Sequence, residues 1–92
     1  MTDAELLELL KIDLQISTNK LDSYLAELIA AARGYITQEG AILTGSAADG
    51  MLVVMYAAYL YRRRHEENQQ MPRMLRWALN NRVFGGGGGA GG

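Results

Sequence analysis

Few side chains in this sequence could do chemistry. The only histidine is His65, in the string His-Glu-Glu-Asn-Gln. A zinc-protease helix would need a second histidine at position 69, and that position is Gln69. His65 therefore reads as an exposed residue at a helix end. Glu66 and Glu67 are adjacent and would point apart on a helix, so they do not form an acid–base pair. No serine is paired with the histidine by a readable motif, and there is no cysteine. The glycine run from Gly85 lacks the preceding strand, the following helix and the lysine of a phosphate loop. The residues predict no catalytic centre, no cofactor and no metal.

The arginines are more informative. Arg62-Arg63-Arg64 stand together, and Arg73, Arg76 and Arg82 follow with no acidic residue among them. One reading is a solvated helix end whose cations complement the helix dipole. The other is a contact for an acidic partner or a phosphate backbone. Arg73, Arg76 and Arg82 would enlarge that patch if the last helix folds back beside the one before it. The aromatic set of Tyr24, Tyr35, Tyr56, Tyr59, Tyr61 and Trp77 fits a core and an interface better than a base-stacking surface. Met55, Tyr56, Tyr59 and Tyr61 are the subunit-interface candidates.

Four helices must position these groups. Thr2-Asp3-Ala4-Glu5 fits a capping box, and the leucines that follow make a short helix ending near Lys11. Ile12, Leu14 and Ile16 alternate with polar residues, the pattern of a short strand or, with no partner strand evident, an extended connection laid on the core. A second helix begins between Ser17 and Asp22. Leu21, Leu25, Leu28, Ile29, Ala32 and Ile36 form its apolar stripe. Ala30 to Ala32 make a thin section where another helix could approach, Gly34 marks a close contact or a weakness, and Gly40 suits the residue just past the helix end. Ser46-Ala47-Ala48-Asp49 repeats the capping pattern.

The third helix carries Met51 to Tyr61, an unbroken apolar and aromatic run with no polar face. Such a helix must be covered all round, either by a small bundle or in part by another subunit. It is too short to cross a bilayer, which takes about 20 residues. Its polar end is expected between His65 and Asn68, and Glu66 to Gln70 break the pattern. Met71-Pro72 resets it, with proline suited to a first helical position. The fourth helix then sets Met74, Leu75, Ala78 and Leu79 on one side, with Trp77 beside them. The fold class is all-α: a small four-helix domain over residues 1–84 with long second and third helices. A flexible Gly-rich tail is expected over 85–92.

The 92 residues suit one domain, and 49% are hydrophobic, a surplus that points to apolar surface buried between subunits. The N-terminal stretch has no basic region before an apolar run, so no secretory signal is read there. Residues 1–39 carry seven acidic and three basic side chains, a balance of −4. Residues 40–92 carry three acidic and six basic, a balance of +3. That division is chance with helix-end preference, or an acidic part of one subunit facing a basic part of the next. The net charge of −1 is too neutral for a protein that coats nucleic acid.

In order along the chain come Leu10-Lys11-Ile12-Asp13, then Asp22 ahead of Leu25, Leu28-Ile29 and Ala32. Next are Leu60-Tyr61-Arg62, and last Met71-Pro72 with Leu75, Leu79 and Arg82. This order resembles the small head–tail connector (adaptor) proteins of tailed phages and prophages, over about residues 6–84. The resemblance implies a structural virion protein made in the host bacterial cytoplasm. About a dozen copies would form a ring on the portal protein and continue the DNA channel toward the tail. A stopper or tail-completion protein would meet the other face. DNA would pass without sequence-specific binding, and no membrane is involved. Leu75, Trp77 and Arg82 become the expected portal-docking residues, and Arg62, Arg63 and Arg64 channel or partner contacts. Two readings stand beside this one: a small helical nucleic-acid-binding regulator, and a helical interaction module such as a toxin-neutralising partner.

Overall fold

The computed structural model describes residues 1–65 and 70–86. Its elements are α1 (Asp3–Leu14), α2 (Asp22–Gln38), α3 (Ala47–His65) and α4 (Arg73–Asn81), closed by a π turn at Arg82–Gly86. No strand occurs among the described residues. The fold is the all-α arrangement that the sequence predicts, with α2 and α3 the longest helices. The expected end of α3 up to Asn68, most of the Glu66–Gln70 break and the tail from Gly87 onward lie outside the described residues. Gly85 and Gly86, assigned by sequence to the tail, belong to the π turn.

Local chemistry explains most of the helix ends. At the start of α1, Glu5 N–H donates to Thr2 Oγ1 at 3.2 Å, and Thr2 N–H donates to Glu5 Oε1 at 2.8 Å. This is the reciprocal capping box. The Thr2 bonds also hold the Glu5 carboxyl below its usual range. At the end of α2, Gly40 takes φ +110. Its N–H reaches the Thr37 carbonyl, and the Ala41 N–H reaches that of Ile36. These are the two bonds of a Schellman motif, with Ala41 tucked into the core behind it.

One local expectation is corrected. The first helix does not end at Lys11 but runs to Leu14, where Gln15 turns left-handed at φ 60. Ile12 to Leu14 are helical, not extended, and Ile12 points outward at 71% exposure. The period-two pattern was an accident of an amphipathic helix whose last turn is only half covered. Lys11 explains why it continues: its stem is buried and its ammonium reaches Asn19 at 2.9 Å and Asp22 at 3.0 Å. At Gly34 a Cβ would meet open space, so of its two readings the weak point in the helix stands and the close contact does not.

The apolar run of α3 is enclosed for much of its length by the other helices, while Met51 at its head stands 43% exposed. α3 packs against α1, α2 and α4. Leu52, Val53, Val54, Tyr56, Ala57, Ala58 and Tyr59 are all buried within one chain. The bundle itself therefore covers most of the helix. Leu6 and Leu10 from α1 join the same core, as do Leu25, Ile29, Ala32 and Ile36 from α2. α4 contributes Leu75 and Leu79. The hydrophobic surplus lies elsewhere: Ile12, Ile42, Met74, Trp77 and Phe84 all stand largely in solvent.

Candidate functional site

The candidate residues separate into a buried clasp, a basic helix end and an exposed face on α4. The clasp begins with Asp49, in the first turn of α3. Ser46 Oγ accepts from the Asp49 N–H at 3.2 Å, as a cap residue should. The Asp49 carboxylate does not turn back to Ser46. It accepts from the Thr44 N–H at 2.7 Å and from the Thr44 hydroxyl at 2.9 Å. It also receives Arg82 in a two-point bond, Nε to Oδ1 at 2.6 Å and Nη2 to Oδ2 at 3.0 Å. Arg82 Nη2 further donates to the Ile42 carbonyl. One carboxylate thus ties the 41–46 loop, the start of α3 and the end of α4 together.

The electrostatics follow from that geometry. The Arg82 guanidinium, then the Thr44 donors, outweigh burial and hold the Asp49 carboxyl at about 2 against a usual 3.8. The same bond raises Arg82 above its ordinary value. Arg82 was expected to dock a portal, but in this state its fork is occupied inside the subunit. Leu75, expected beside it, is buried in the core. Of the three docking candidates only Trp77 is exposed, at 66%.

The interface candidates divide similarly. Tyr56 and Tyr59 are buried, and they meet edge to face with ring centres 5.9 Å apart. Tyr35 stacks on Tyr56 at 5.9 Å. Burial, with Glu39 nearby, raises the Tyr56 hydroxyl above its ordinary value. Both rings are core residues of the subunit, whereas Met55 and Tyr61 are half-buried at its edge.

The basic helix end is already partly engaged. Arg62 Nη2 donates to the Asp13 carboxylate at 3.1 Å and to its carbonyl at 3.4 Å, tying the end of α1 to α3. Arg64 lies 5.7 Å over the Tyr24 ring. Arg63 and Arg64 border a shallow groove with Tyr35 and Leu60. His65 is exposed and sits 4.4 Å from the Tyr61 ring. Arg82 does not extend this patch. Thirteen helical steps separate its partner Asp49 from Arg62, about 20 Å along the axis.

Sequence reasoning missed Asp49 as the partner of Arg82. The signal was present: Leu52 and Val53 follow Asp49 by three and four residues, so its side chain shares their inward face. An acid on such a face needs a cation. Also missed was a recess between α1 and α2, lined by Ala4, Leu7, Ala26, Ile29 and Ala30 and closed at one end by the Asp3–Arg33 pair. Small residues four apart on α2, Ala26 and Ala30, leave that gap.

No helix among the described residues is long and apolar enough to cross a membrane. No family model matches the chain, and no significantly similar curated protein or solved structure is found.

Proposed function

We propose that this chain is a structural virion protein, a head–tail connector that forms a ring on the portal and carries the DNA channel toward the tail. One observation carries the reading. The segments that resemble the connector family are separated in sequence, yet three of the four ion pairs among the described residues use one or both partners from them. Lys11 reaches Asp22, Asp13 holds Arg62, and Arg82 closes on Asp49. Polar motifs used in this way describe a scaffold, since each is consumed by holding one helix to another. The large apolar side chains left in solvent are what a subunit keeps for its neighbours.

In this reading the protein is made in the bacterial cytoplasm and ends at the head–tail junction of the particle. Its partners are further copies of itself, the portal and a stopper or tail-completion protein. The regulator reading loses support from the same contacts: Arg62 and Arg82 are engaged within the subunit, which takes two of the six arginines between positions 62 and 82 out of a basic face.

Native mass spectrometry of the chain, alone and with the portal of the same genome, tests the proposal. The expected result is a ring of about a dozen copies, or a portal complex with a matching ring of this chain. A monomer or dimer in both samples would overturn it. A duplex-DNA titration at low salt then decides the regulator reading, which requires binding that falls steeply as salt rises.

A further inference from the structure

The outer face of α4 and the recess between α1 and α2 are complementary surfaces on one molecule. We infer that α4 of one copy seats Trp77 and Met74 in the α1–α2 recess of the next copy. This rests on the ring reading above and names the contact that would build it.

The α4 face is unusual for a surface. Leu75 and Leu79 turn into the core, which leaves Met74 and Trp77 projecting outward. They border a shallow cleft with Met71, Arg73, Arg76 and Asn80. Exposed tryptophan flanked by arginine is the composition of an interface centre. Neither Arg73 nor Arg76 has an acidic partner within ion-pair distance among the described residues.

The recess supplies the converse. Its volume is about 220 Å³, and its lining is mostly apolar. Pockets for small molecules run from about 300 Å³ upward, so this one suits a large side chain better than a metabolite. Ala4 belongs to this recess and also to the neighbouring surface that carries Glu5 and Glu8. An acidic strip therefore runs beside the apolar hole. Arg33 at the end of the recess is neutralised by Asp3 at 2.6 Å. The arginines of α4 would meet Glu5 and Glu8 when the tryptophan enters.

Geometry makes the contact intermolecular. α1 packs on α2 and α3, while α4 packs on α3 and the π turn. The two surfaces are different patches, so the contact is head-to-tail. Such a contact closes into a ring or continues as a filament.

The absence of cysteine permits a direct test on the full chain. Ala30→Cys lies in the recess and Met74→Cys on the α4 face. Under mild oxidation a mixture of the two variants should form a disulfide-linked pair, while each variant alone should not. Trp77 is the only tryptophan, so its emission should move to the blue as concentration rises. Arg76→Glu should weaken self-association at least tenfold, and mixing it with Glu8→Lys should restore it.

Cross-links within single-variant samples would mean a symmetric dimer and would overturn the inference. So would no cross-link in the mixture at millimolar protein, whether or not multimers form. If multimers or portal rings form without that cross-link, the connector reading survives and this contact falls. A Trp77 shift that needs the portal, with no cross-link, gives the α4 face to the portal and also overturns the inference. If the wild-type chain neither multimerises nor binds the portal, the connector reading fails separately.

Discussion

Asp49–Arg82 and Asp3–Arg33 are ion pairs of the same length, 2.6 Å from nitrogen to oxygen. Their surroundings differ in almost every respect. The Asp49 side chain is 4% exposed and its arginine 23%, against 80% and 37% for Asp3 and Arg33. Asp49 also accepts two bonds from Thr44, and Arg82 has a second acceptor in the Ile42 carbonyl. No further polar partner of the Asp3 carboxylate was found among the described residues. Distance does not rank ion pairs. What ranks them is how much water each charge has lost and how many other bonds depend on its position.

The largest expected effect comes from breaking the buried pair on one side only. Asp49→Ala leaves Arg82 partly desolvated, orphans the Thr44 donors and releases the end of α4. The expected loss is about 3–5 kcal/mol, read as the change in chemical-denaturation midpoint at constant slope. The double variant Asp49→Leu with Arg82→Met should recover much of that loss, because apolar residues need no partner. If the single change cost no more than an exposed pair does, the comparison would collapse.

Acid offers a second test without mutation. The Asp49 carboxyl is depressed to about 2 in the folded protein against 3.8 for the free group. A depressed acid stabilises the fold fully above its unfolded value and loses that contribution as pH falls through the folded value. The window is therefore between about pH 4 and pH 2, and the expected loss there is on the order of 1–2 kcal/mol. The loss should disappear in Asp49→Asn, measured by denaturation at each pH.

The contrast also shows what could be seen in the sequence. Helix type and order were legible because periodicity and caps are local: the capping box at Thr2 and the glycine end at Gly40 each depend on residues a few positions apart. The end of α1 was not, because Lys11 is held by Asn19 and Asp22 across a turn. The site was less legible still. Arg82 could be singled out as important, but whether its fork faced a partner or its own chain depended on Asp49, thirty-three residues earlier. Leu75 and Trp77 lie two residues apart on one short helix. One is core and the other is surface, and only the position of α3 decides which.

The Lys11–Asp22 pair fills the middle of the comparison. Its side chains are 9% and 36% exposed. Lys11→Met keeps the buried stem and removes the charge, leaving Asp22 partly hydrated and Asn19 without its donor. The expected cost is about 1–2 kcal/mol, between the two extremes. Thermal unfolding should place this variant between Asp49→Ala and Asp3→Ala.

The smallest effect belongs to the exposed pair, and its smallness is the sharpest prediction. Asp3 is solvated at the start of α1, where its charge also favours the helix dipole. Asp3→Ala should therefore cost under about 1 kcal/mol, and part of that cost belongs to the dipole and not to Arg33. Arg33→Ala removes only the pair and some packing at the edge of the α1–α2 recess. A double-mutant cycle at Asp3 and Arg33 should give a coupling of about 0.2–1 kcal/mol that shrinks in 1 M salt, where the screening length falls to about 3 Å. A coupling that stayed large in high salt would mean that the recess shields this pair from water. The exposure of Asp3 argues for the opposite result.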